Sequence, residues 1–138
     1  MRPGTLGRLA ILAGAAVFVI GGAWALISPS SFYDEVATYP PYNRHLFHDV
    51  GAFQLGLGAA LLLALTDWSG RLVGLWAGTT AALLHALSHV LDRDLGGRDG
   101  DPVALSVLAL AFLAGAVAAT RKEARQGSPR PEATEATK

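Results

Sequence analysis

Four long apolar runs order the chain: Leu9 to Ile27, Asn43 to Thr66, Leu72 to Leu91 and Val103 to Ala119. Each approaches the roughly 17–25 residues that a helix needs to cross a bilayer. Leu, Ala and Gly dominate them, and none alternates apolar and polar positions with period two, so the pattern predicts helices rather than strands. Backbone polar groups inside lipid must be satisfied within the segment, which also selects helices. The expected fold is therefore an all-α membrane protein, a four-transmembrane-helix bundle. It comprises a domain over 1–120, with helices at about 9–27, 44–66, 72–92 and 102–120, and a disordered cytoplasmic tail over 121–138.

Local signals set the boundaries. Pro29 closes the first run. Asn43 follows Pro40 and Pro41 and is a good N-cap for the second, while Asp101 before Pro102 pairs an N-cap with proline at the first helical position of the fourth. Asp67-Trp68-Ser69-Gly70 is a tight link, which makes the second and third runs an antiparallel hairpin. Between the first and second runs, Ser30 or Ser31 can cap a short helix with Asp34 and Glu35 in its first turn. Its Phe32, Tyr33, Val36 and the following Tyr39 read either as an interfacial aromatic belt or as a lid over the second run's start.

Composition agrees with a membrane class: 51% of residues are hydrophobic and 16% charged, with a mean hydropathy of +0.36. The net charge of zero offers no surface for nucleic acid. The absence of cysteine excludes disulfides and thiolate metal sites. Basic residues favour one side: Arg2, Arg8, Arg71, Arg121, Lys122 and Arg125. By the positive-inside bias both termini are cytoplasmic in the cell membrane, and the opposite ends face the periplasm or exterior. A competing reading makes Met1 to Leu26 a signal peptide cut near Ala23-Trp24-Ala25. Trp24 fits an interfacial anchor instead, and the first run is long for such a segment.

All four histidines fall at the outward ends of the second and third runs: His45 and His48 beside Asp49, and His85 and His89 before Asp92. Ionisable groups at such depth are costly and point to function. His85, His89 and Asp92 share one helical face that continues inward as Ala82, Ala81, Gly78 and Gly74. His45, His48 and Asp49 share a broader face that continues as Ala52, Gly56, Ala59 and Ala60. Small residues let membrane helices approach closely. The short hairpin turn also places His48 level with His89, His45 with Asp92, and Ala52 with His85, so the six groups are expected to meet between the second and third runs. Gln54 projects elsewhere, toward the first or fourth run.

Imidazoles suit Zn, Cu and Fe, and histidines at i and i+4 can bind one ion from one helix. His48, His85 and His89 are the candidate ligands, with Asp49 as the fourth and His45 and Asp92 as alternates or as orienting partners. Haem held by two histidines and proton-coupled chemistry are further alternatives. Set against all of these, a plain hydrogen-bond network pins the hairpin in a non-catalytic protein that packs against lipid, further copies of itself or a membrane partner. No enzymatic activity follows from these residues.

The stretch SPSSFYDEVATYPPYNRHLFHDVGAFQLGLGAALLLAL, followed by HALSHVLD, resembles small four-helix bacterial membrane proteins loosely grouped as DoxX-like. The resemblance covers about residues 9–120 and centres on PYN-x4-HD-x-G. It implies a four-helix integral membrane bundle linked to membrane redox and oxidative-stress functions. It assigns no catalytic residue.

Overall fold

The computed structural model describes residues 3–127, with side chains for residues 5–125. Arg2 and residues 128–138, most of the expected tail, lie outside the described residues. Those described form an all-helical protein without strands: α1 (Pro3–Ile27), α2 (Pro29–Glu35), α3 (Arg44–Leu63), α4 (Trp68–Leu91) and α5 (Asp101–Gly127). Three helices are long and apolar enough to cross a membrane, namely Thr5–Ile27 of α1, all of α3, and Asp101–Arg125 of α5. The fourth long helix, α4, has the length, but Trp76, Thr79, Thr80, His85, Ser88 and His89 dilute its apolar character.

The helix starts follow side-chain chemistry. Asn43 caps α3 by accepting from the backbone N–H of His45 and Leu46. Asp67 caps α4 by accepting from Gly70 N–H, so Trp68 already belongs to the helix and the link, residues 64–67, lies three residues earlier than expected. Pro29 rather than a serine side chain opens α2; Ser28 stands at the cap position without a side-chain bond. Asp101 opens α5 and turns its carboxylate back to accept from Arg98 N–H at 2.9 Å. α5 continues to Gly127, so residues 121–127, expected in the tail, are helical.

α1 lies at the centre, packed along α3 on one side and α5 on another, and α4 lies mainly against α5. Glycines set these approaches. A Cβ on Gly22 would stand 2.8 Å from Gly51 O, and one on Gly51 would stand 2.8 Å from Gly22 O, so the α1 and α3 backbones touch there. The Phe112 ring on α5, fully buried, fills the space between Gly14 of α1 and Gly78 of α4. α4 meets α3 near their shared turn, where Gly74 faces Ala64 and Leu61. Toward the opposite end the two helices diverge, and the gap between them is bordered by α1, α5 and the segment after α2.

A second apolar cluster fixes α2. Phe32 packs edge-on against Trp24 and Phe47, with ring centroids 5.8 and 5.9 Å apart. Tyr33 and Tyr42 also pack against Phe47. Aromatic pairs of this kind contribute about 0.5–1.5 kcal/mol each beyond burial. At the other end of the bundle, Trp76 donates to Thr120 Oγ1 at 3.2 Å and Lys122 Nζ sits 4.5 Å from the Trp68 ring centre, which join α4 to α5.

Candidate functional site

The divergence of α3 and α4 separates the histidines that the hairpin register pairs. The face of α3 expected to meet α4, with Ala52, Gly56, Ala59 and Ala60, is exposed, and nothing lies within 4 Å of where a Gly56 Cβ would be. The buried face of α3 carries Gly51 and Gly58 instead, and those glycines admit α1 at backbone distance. His45 consequently points outward, paired one-to-one with Asp49 at 3.5 Å. His48 is half-buried and makes no hydrogen bond or ion pair among the described residues.

The α4 face behaves as its pattern predicts. Gly74, Gly78 and Ala82 are buried, and His85 and His89 project from the same face toward its C-terminal end. Their Nε2 atoms are 3.2 Å apart. Asp92 terminates α4 through its backbone N–H, which donates to Ser88 O. The six candidate residues do not gather into one shell: among the described residues no group of three or more His, Asp or Glu side chains is disposed to hold a metal ion.

The structure assembles a different set around His89. Tyr39 Oη lies 3.1 Å from His89 Nδ1, and Asp101 Oδ2 lies 3.8 Å from the same nitrogen. Only the first is a hydrogen-bond distance. Desolvation, reinforced by the Asp101 and Asp92 carboxylates, raises the Tyr39 phenol above its ordinary value of 10.0, so it holds its proton at neutral pH. A protonated phenol either donates to His89 Nδ1 or accepts from it, as the His89 tautomer sets. The Nε2 atoms of His89 and His85 share one hydrogen bond, one donating and the other accepting. The remaining nitrogen of His85, Nδ1, has no partner among the described residues.

Tyr39 reaches this position because the α4–α5 link holds it. Gly97 N–H donates to Thr38 O at 3.1 Å. Gly96 and Gly97 have positive φ, at 139° and 84°, which glycine alone adopts readily. A Cβ on Gly97 would stand 2.5 Å from Tyr39 Oη. Arg98 and Glu35 form an exposed pair at 3.5 Å across the same junction. The segment after α2 is thus strapped over the histidine end of the bundle.

Two cavities meet at Tyr39 and His89. The outer one, about 200 Å³, is polar and is lined by the α4–α5 link, including Arg93, Asp94, Arg98 and Asp99. The inner one, about 440 Å³, is largely apolar, with Val17, Leu46, Val50 and Leu105 among its walls and His85, His89 and Asp101 at its polar end. Gln54 also lines it and packs against Gly21 of α1. Tyr39 and Asp101 were legible in the sequence only as a belt aromatic and a helix cap; their pairing with His89 depends on loop closure. Comparisons with protein-family models, curated proteins and solved structures find no match.

Proposed function

We propose that this chain is a four-span integral membrane protein, both termini cytoplasmic, that binds a small amphipathic molecule from the bilayer at its outward end. One observation carries the reading: a hydrogen-bonded Tyr39–His89–His85 chain opens into an apolar cavity of about 440 Å³. Apolar concavities with a few convergent polar groups are the usual form of small-molecule sites. α4 serves as the fourth span in this reading, its polar residues tolerated because they face the bundle, bond within the helix or lie near the interface. The central packing of α1 favours its retention over removal as a signal peptide.

Two experiments test this. The chain has no cysteine, so single cysteines at Ser69 and Asp99 report topology cleanly. An impermeant maleimide should label Asp99→Cys in intact cells and Ser69→Cys only after permeabilisation; the reverse pattern refutes the orientation. Extraction of lipophilic molecules from purified protein should yield a species, seen by mass spectrometry, that the cavity-filling Leu105→Trp variant lacks. Identical extracts from both would refute the binding reading.

The Nε2 separation of His85 and His89 favours a second reading. Two nitrogens about 2.0–2.1 Å from a tetrahedral ion stand near this separation. In that case the pair supplies two ligands to a transition metal, in a redox or stress-related role, with Tyr39 and Asp101 orienting His89 from behind. Near-stoichiometric metal in the purified protein, lost in His89→Ala, would favour it over the first.

A further inference from the structure

We infer that the occupant of the inner cavity is a cationic amphipath, a lipophilic ammonium whose head pairs with the Asp101 carboxylate beside the Tyr39 ring and whose tail lies along α3 and α5. This rests on the cavity-binding reading above and specifies its ligand class.

The charges around the cavity are unbalanced. Asp101 is the one acid along its lining, and among the described residues no lysine or arginine joins it there. The outer cavity, in contrast, sets Arg93 and Arg98 against Asp94 and Asp99. Arg98 is the nearest source of a counter-ion, but its guanidinium goes to Glu35 at 3.5 Å, and its backbone N–H is what reaches Asp101 Oδ2. His89 Nδ1 stands 3.8 Å from the same oxygen, beyond hydrogen-bond distance. Asp101 Oδ1 has no hydrogen bond or ion pair among the described residues. The carboxylate also belongs to the first residue of α5, where the helix dipole favours negative charge. Charged groups bordering an apolar membrane interior pair with an opposite charge. Here the chain leaves that partner to be supplied from outside.

The walls suit an ammonium with an apolar tail. Tyr39, Phe32 and Phe47 contribute aromatic rings to the same lining, and such rings attract ammonium groups. Val50 of α3 and Ala104 and Leu105 of α5 supply apolar surface for the tail. α3 and α4 part toward the histidine end, which gives that tail a side entrance from the bilayer. A phosphate, as in a zwitterionic lipid head, would meet Asp101 with no lysine or arginine in the lining to hold it.

Three radiolabelled probes with matched tails test this on the full chain in dodecyl maltoside, with protein-free micelles subtracted. They are decyltrimethylammonium, decanol and decylphosphocholine, measured at pH 8, above the ordinary imidazole range. The cation is expected to bind saturably, at least about ten-fold more tightly than either other probe, and to lose that binding in Leu105→Trp. Asp101→Asn keeps an oxygen to accept from Arg98 N–H; it should weaken the cation at least about ten-fold and change decanol by less than about two-fold. Leu105→Lys sets a built-in cation at i+4 from Asp101 and should also displace the probe, whereas the neutral Leu105→Met should not. Decanol or decylphosphocholine binding as tight as the cation, lost in Leu105→Trp, would overturn the cationic head and leave the cavity reading standing. Cation binding indifferent to Asp101→Asn, or to Leu105→Lys should the asparagine variant not fold, would overturn Asp101 as the counter-ion. Cation binding that survives Leu105→Trp would place the ion outside the cavity and overturn the inference. Absence of saturable binding for all three probes would overturn it and count against the cavity reading itself.

Discussion

Phe112 is wedged between two glycines on different helices, and Gly78→Ala tests whether that wedge holds the bundle. A Cβ on Gly78 would stand 2.6 Å from Phe112 Cδ1, and one on Gly14 would stand 2.6 Å from Phe112 Cε2. The ring therefore cannot move away from α4 without striking α1. Overpacking of this kind costs about 1–3 kcal/mol, while alanine's better helix propensity returns about 1 kcal/mol. The expected net loss is about 1 kcal/mol. In a Phe112→Leu background the smaller side chain vacates the space, and Gly78→Ala should then stabilise by about 1 kcal/mol, its propensity gain alone. Far-UV circular dichroism during titration from mild detergent into SDS measures all four proteins as a double-mutant cycle. If Gly78→Ala stabilises the parent chain, or if its effect is the same in both backgrounds, the wedge is not the constraint described.

Three further outcomes follow from the histidine end of the bundle. Gly97→Ala should displace Tyr39, through both its 84° φ and the 2.5 Å approach to Tyr39 Oη; increased amide exchange at Thr38–Tyr39 would show it, and unchanged exchange would contradict the strap. Because the folded state raises the Tyr39 phenol above 10.0, its contribution to stability should be complete at and below that pH and decline as pH rises through the raised value. Tyr39→Phe should remove this alkaline decline in a melting series, and an unchanged slope would contradict it. The His45–Asp49 pair is exposed, with side chains 85% and 53% accessible, so His45→Ala should change stability by less than about 0.5 kcal/mol; a substantially larger loss would place His45 in a contact beyond this chain's own fold.

Much of the helical framework was readable from local chemistry. Asn43 acts as a cap because its short side chain reaches the first free N–H groups, a decision taken within three residues; Asp67 does the same for α4, although its sequence context reads only as a turn. The inward face of α4 was also legible, since Gly74, Gly78 and Ala82 repeat at helical spacing. The packing face of α3 was not. It offers two small-residue faces, and the choice between them belongs to α1, whose Gly22 fits Gly51. The hairpin turn fixes depth but does not require its two helices to stay in contact along their length. For that reason the predicted levels of His48 and His89 carried no information about proximity. Tyr39 lies fifty residues from His89, and only closure of the Gly96–Gly97 link brings them together.

The central place of α1 bears on how the protein is made. α1, synthesised before α3, α4 and α5, is packed along α3 and α5, and α4 rests chiefly on α5. Until residues from Asp101 onward have been synthesised, α4 lacks its principal partner, and Gly78 presents an uncovered groove to lipid or to the insertion machinery. The Tyr39–His89–Asp101 junction draws on three separated segments, so it can be completed only after α5 has started. A chain arrested in the α4–α5 link would thus hold the α1–α3 pair with α4 uncovered, a half-built state that membrane quality control could recognise by that groove.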